Sequence, residues 1–135
     1  MLHMLDTDTS SYILKGRSPA VEARLAVITP AMVCVSAVTR AELLYGVKRL
    51  PPDHRLHLAV AQFLKIVRVV SWDSEAADWY AEIRHQLVSS GQPIGELDMM
   101  IAAHSLSAGA TLVTNNERHF RRIKAPLNLV NWAVG

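Results

Sequence analysis

Leu2-His3-Met4-Leu5-Asp6-Thr7-Asp8 reads as a short buried strand that runs straight into acid. An apolar run of this length, closed by polar residues, fits a strand covered on both faces. The same pattern returns downstream. Val33-Cys34-Val35-Ser36 reads as a second buried strand, Val67–Val70 as a third and Thr111-Leu112-Val113 as a fourth, with Leu127–Val130 as a candidate fifth. Short buried strands separated by helices mean an α/β layer with a mainly parallel central sheet.

The intervening segments read as helices. Thr9–Leu14 is a first short helix, with Asp8 as its expected N-cap. Pro19 opens a second, whose apolar Val21, Leu25 and Ile28 recur at helical spacing until Pro30 ends it. Thr39–Leu50 is a third, stopped by Pro51-Pro52; Asp53 can cap a fourth that reaches about Leu64. Asp73 caps a long fifth helix, with Ala76, Trp79, Tyr80, Ile83 and Leu87 on one face and Gly91 as its stop. After the loop Gln92–Glu96, Leu97–Ser107 is a short apolar helix ended by Gly109.

Ligand sites in parallel sheets gather beyond the carboxyl ends of the strands. Asp6 directly follows the first strand. Thr39 and Glu42 begin the helix after the second, and Asn115 and Asn116 follow the fourth. Asp98, in the first turn of the helix before the fourth strand, can join them. Each acid also has a plain structural role. Asp6 or Asp8 can cap a helix, Thr39-x-x-Glu42 fits a capping box, and Asp98 suits a helix N-terminus. Magnitudes favour the joint reading. Two carboxylates 4 Å apart repel by roughly 4 kcal/mol near a protein surface, whereas a cap contributes only about 1 kcal/mol. A hard divalent cation would offset that repulsion. A pocket of acids without His or Cys points to Mg²⁺, or Mn²⁺, over Zn²⁺.

The 135 residues suit one domain, spanning 1–135, with one core. No apolar stretch approaches the ~18 residues of a membrane span, so no membrane contact is expected. The N-terminus has no basic flank or cleavage site of a signal peptide, and the lone Cys34 reads as a buried hydrophobe, so the expected compartment is the cytoplasm. A formal net charge of +2 does not by itself diagnose nucleic-acid binding. Basic residues nevertheless cluster at Lys15 and Arg17, at Lys48, Arg49, His54 and Arg55, and at Arg118, His119, Arg121, Arg122 and Lys124. They are either solvated charges or a rim of phosphate contacts. The scattered histidines read as surface or packing residues. No Gly-rich phosphate loop, Gly-x-Ser-x-Gly elbow or cysteine nucleophile is present.

Four motifs, in order and over nearly the whole chain, resemble those of PIN-domain ribonucleases, in particular the VapC toxins of type II toxin–antitoxin systems. Met4-Leu5-Asp6-Thr7-Asp8 resembles their opening LDTN. Ser36-Ala37-Val38-Thr39-Arg40-Ala41-Glu42-Leu43-Leu44-Tyr45-Gly46 resembles the segment ending in AEL-x-x-G. Pro93-Ile94-Gly95-Glu96-Leu97-Asp98-Met99-Met100-Ile101-Ala102-Ala103-His104 resembles IGxxDxxIAAHA, and Leu112-Val113-Thr114-Asn115-Asn116 with Phe120 resembles LVTNN…F. The resemblance implies a PIN-like three-layer α/β/α sandwich. It implies Asp6 and Asp98 as Mg²⁺ ligands, Glu42 as the acid that orients or deprotonates the attacking water, and Asn116 as the fourth polar catalytic position. Many relatives carry an acid at that fourth position, so Asn116 weakens any second metal site. Asp8 stands where Asn is usual and Glu96 where Pro often is.

The activity implied is metal-dependent endoribonuclease cleavage by in-line attack of water, leaving 5′-phosphate and 3′-hydroxyl ends. Relatives nearest in motif wording cut initiator tRNA in its anticodon loop. The implied partners are a VapB-like antitoxin, an RNA substrate and a second copy of the chain in a homodimer. Leu43, Leu44, Val47 and Leu50 are candidates for dimer or antitoxin surface. Three alternatives stand beside this one, among them a DNA-directed structure-specific nuclease with the same chemistry, which the small size and the lack of an arch-like insertion disfavour. A PIN-fold module could bind RNA or protein without cutting, which Asn116 would favour. Asp6-Thr7-Asp8 also resembles the haloacid-dehalogenase phosphatases, but Ser10 is unusual for that motif and the chain leaves little room for a cap domain.

Overall fold

A computed structural model describes residues 1–133, so the last two positions of the expected 1–135 domain lie outside the described residues. The strands are β1 (His3–Leu5), β2 (Val33–Ser36), β3 (Arg68–Val70), β4 (Thr111–Val113) and β5 (Leu129–Val130). They form one sheet in the order β3-β2-β1-β4-β5, and every pairing is parallel. The sheet is therefore wholly rather than mainly parallel. The helices are α1 (Thr7–Lys15), α2 (Pro19–Val27), α3 (Ala37–Lys48), α4 (Leu56–Ile66), α5 (Ser74–Ser89), α6 (Glu96–Ala108) and the single turn α7 (Glu117–Phe120). Pro30–Met32 adds one 3₁₀ turn before β2.

Alternation along the strands divides the core. Leu5, Val33, Val35 and Val113 pack on one side of the sheet with Val21, Leu43, Val47, Val60 and Leu64 of α2, α3 and α4. Leu112 packs on the other with Ile83, Leu87, Met99 and Ile101 of α5 and α6 and with Phe120 of α7. Both faces are thus covered by helices, the three-layer α/β/α arrangement, and this is why the strands read as unbroken apolar runs. Cys34 is fully buried beside Met4 and Ala110, and burial pushes its thiol up to about 11, so it behaves as an inert hydrophobe.

Local signals moved some boundaries. Asp6, not Asp8, caps α1: its carboxylate accepts from the Thr9 amide at 2.8 Å, and Asp8 falls inside the first turn. Ser36 rather than Thr39 caps α3, accepting from the Val38 amide at 3.0 Å, so the Thr39/Glu42 capping box does not form. Asp53 does not cap α4; the ring of His54 accepts from the Leu56 amide instead, at 3.1 Å. Asp73 caps α5 as expected. The helix ends on Gly91 and Gly109 also hold, both glycines standing at positive φ where a side chain would be strained.

Candidate active site

The strand order sets the position of the site. The chain moves outward from β1 through β2 to β3, then returns to the other side of β1 for β4 and β5. At such a reversal the loops leaving adjacent strands diverge and open a crevice at the carboxyl edge. Asp6 leaves β1 at this point. Its amide still donates to the Val113 carbonyl of β4 at 3.0 Å, so the acid is pinned to the neighbouring strand before α1 begins.

Asp6 is only 3 % exposed. Burial raises its carboxyl above the usual carboxylate range. Hydrogen bonds from the Thr114 side chain and from Thr9 oppose the shift, and the charge of Asp8 adds to it. Asp98 projects from the first turn of α6, the third residue of a helix that has no side-chain cap. Its carboxyl is pushed up to about 6, first by burial and then by the charges of Asp6, Asp8 and Glu42. A helix N-terminus alone would lower it. Burial first, and then the acids of the β1 end, α1 and α3, therefore outweigh that field at Asp98.

Glu42 lies in the second turn of α3 and is half-buried. The Thr7 hydroxyl donates to its Oε1 at 2.7 Å and stands 3.2 Å from the Thr39 hydroxyl. The residue after Asp6 thus holds the start of α1 against α3. Asn116 follows β4; its backbone amide donates to the Thr114 hydroxyl at 2.9 Å, and Thr114 in turn bonds Asp6. The Asn116 side chain meets His119 Nδ1 at 2.7 Å. Asn115 donates to the Tyr12 hydroxyl and accepts from Asn131, which ties it to the surface rather than to the acids.

The structure therefore brings Asp6, Asp98 and Glu42 into one electrostatic neighbourhood, with Asp8 as a fourth member. Asn116 is linked to Asp6 through Thr114. Capping and clustering are not alternatives here, because Asp6 does both. Thr7 and Thr114 were not singled out from sequence. Both stand inside the quoted motifs, beside an acid or two residues before Asn116, and that adjacency was the available signal. Glu96 turns outward, its carboxylate 3.0 Å from Arg84 and 3.3 Å from the Tyr80 hydroxyl. Part of the basic rim is also engaged elsewhere: Arg121 pairs with Glu117, and Arg122 donates to the Pro93 carbonyl.

The donors are all oxygens, and mutual repulsion is their dominant charge interaction. This fits a hard divalent cation, which would relieve the repulsion at Asp98. Among the described residues no three His, Cys, Asp or Glu side chains stand close enough to cage an ion by themselves. Mg²⁺ asks for no cage, since it binds through one or two carboxylates and keeps several waters for the remaining positions.

Comparison with known proteins shows the family. The PIN domain family model matches residues 3–126. The tRNA(fMet)-specific endonuclease VapC of Salmonella typhimurium is 37% identical over 130 residues, 96% of each chain. Among solved structures, DNA-bound VapBC from Salmonella typhimurium superposes with a TM-score of 0.89 at 34% identity, covering 98% of this chain and 99% of that one. VapBC2 from Rickettsia felis, bound to a promoter DNA fragment, superposes with a TM-score of 0.89 at 30% identity and the same coverage. The chain belongs to the PIN-domain family and, within it, to the VapC ribonucleases.

Proposed function

We propose that the protein is a Mg²⁺-dependent endoribonuclease, the toxin of a VapBC-type toxin–antitoxin pair, acting on tRNA in the cytoplasm. The observation that carries this reading is Asp98: its carboxyl is lifted to about 6 by burial and by three other acids drawn from distant segments. Asp6 and Asp98 would hold the cation. When bound, it would lower the pKa of a coordinated water and neutralise charge on the scissile phosphate. Glu42, half-buried and oriented by Thr7, serves as the base that takes the proton of the attacking water. Thr114 holds Asp6 in place, and Asn116 supplies a neutral hydrogen-bonding group at the β4 end. Manganese would serve in place of magnesium. The initiator tRNA anticodon loop is the first substrate to try, because relatives such as the Salmonella protein are named for tRNA(fMet).

A groove supports the antitoxin reading. A cavity of about 390 Å³ runs from Thr7 and Glu42, past Leu43, Val47 and Leu50, to Arg49. A groove with an apolar wall that takes in Glu42 at one position and Lys15 and Arg49 at others suits an amphipathic antitoxin segment. Homodimerisation is proposed on family grounds alone.

One observation favours a second reading, a PIN module that binds without cutting. Asn116 brings no charge to the crevice, and its side chain is held by His119. A cleavage assay separates the two. Antitoxin-free protein with total tRNA and Mg²⁺ should cut; EDTA, or Asp98→Asn in a protein that still folds, should reduce cutting by at least about a thousandfold. Cutting that survives EDTA would reject the metal mechanism, and binding without cutting would favour the module.

A further inference from the structure

His104 lies on α6, six residues beyond Asp98, and is 1 % exposed. Its Nδ1 stands 2.7 Å from the hydroxyl of Ser36, itself fully buried at the end of β2. Its ring also hydrogen-bonds the backbone of Ser71, just past β3. Burial pulls the imidazole below its ordinary range, with the charge of Asp73 and the Ser71 contact acting the other way, so the ring is neutral. A neutral imidazole has one donor and one acceptor. A backbone carbonyl can only accept, so Nε2–H donates to Ser71 and Nδ1 must accept from the Ser36 hydroxyl. The same Ser36 oxygen accepts from the Val38 amide at 3.0 Å and so caps α3. The orientation of one buried hydroxyl is thereby fixed from both sides.

We infer that His104 is a positioning residue that, through Ser36, sets the start of α3 and hence the place of Glu42 relative to Asp98. The route is short. Ser36 begins α3, Thr39 in its first turn meets Thr7, and Thr7 holds Glu42. His104 and Asp98 share α6, so the imidazole joins the helix of one acid to the helix of another. Without an acceptor at Nδ1, the Ser36 hydroxyl would be free to turn and the first turn of α3 to shift. Small misplacements of catalytic groups can cost about a hundredfold in rate.

This inference rests on the nuclease reading for its kinetic half, and the test separates the two. His104→Asn keeps a polar atom at the Nδ1 position, and His104→Gln keeps one at the Nε2 position instead. With the tRNA that the wild-type protein cuts, His104→Gln should lose about tenfold or more in kcat. Its KM and its Mn²⁺ affinity, measured by calorimetry, should stay within about twofold, since Asp6 and Asp98 are untouched. His104→Asn should recover most of the lost kcat. Should His104→Gln fail to fold, Ser36→Ala carries the same expectation. Full activity in His104→Gln or Ser36→Ala, or no recovery in His104→Asn, would overturn the assignment. Independently of activity, ¹⁵N NMR of the wild-type protein should show His104 as the Nε2–H tautomer. A wild-type protein that cuts nothing would defeat the nuclease reading alone, and an Nδ1–H tautomer would defeat this one.

Discussion

The protein carries two concentrations of acid, and they differ in kind. Glu75, Asp78 and Glu82 lie along one side of α5, all exposed, around a shallow cavity shared with Trp79. Asp6, Glu42 and Asp98 come from three separate segments, and each is buried or half-buried at the β1/β4 crevice. The first group is adjacent because helical spacing makes it so, and water screens its members from one another. The second was brought together by the fold against its own repulsion, and Asp98 registers the cost. Charge density alone is therefore a poor guide to a site. Convergence from distant segments, together with loss of solvent, is the better one.

Two substitutions sharpen that contrast, the larger first. Glu42→Gln keeps the Thr7 contact but removes the base, and should lower the RNA cleavage rate about a hundred- to thousandfold. Glu82→Gln should leave it within about twofold. Equal losses in the two variants, measured in the same single-turnover assay, would erase the distinction. The smaller effect is on stability. The folded state binds a proton at Asp98 up to about pH 6, whereas the unfolded chain releases it near 3.8. Between those values the native state holds more protons, so this group subtracts stability as pH rises through the window. A shift of two units would amount to about 3 kcal/mol for a fully buried group; Asp98 is partly open to solvent, which reduces this to about 1–2 kcal/mol. In the absence of divalent metal, Asp98→Asn should stabilise the protein by that amount at pH 7 and by almost nothing at pH 4. Urea titrations at the two pH values check this, and an Asp98→Asn gain independent of pH would contradict the assignment.

Sequence exposed the fold through its strands. Val33–Ser36 and Thr111–Val113 are buried on both faces because both faces are covered by helices. The carboxyl-edge rule then put Asp6, Glu42 and Asp98 together before any contact was known. Caps were harder. Ser36, Asp6 and Asp8 are chemically interchangeable as caps, so the choice among them was made by where the strand ends and the helix turns. The turn α7 was not foreseen, since Glu117–Phe120 has too few residues to show a period. His104, read with the other histidines as a surface or packing residue, is a buried packing one. In sequence it is one of several scattered histidines, whereas its burial depends on α6 lying across the ends of β2 and β3.

Metal binding tests the central claim most directly. Mn²⁺ titrated into the antitoxin-free protein and followed by calorimetry should bind the wild type, and equally the triple variant Glu75→Gln/Asp78→Asn/Glu82→Gln. Asp6→Asn and Asp98→Asn should each weaken binding at least about tenfold. Undiminished binding in the two crevice variants, or its loss in the triple variant, would mean that the buried acids share no cation.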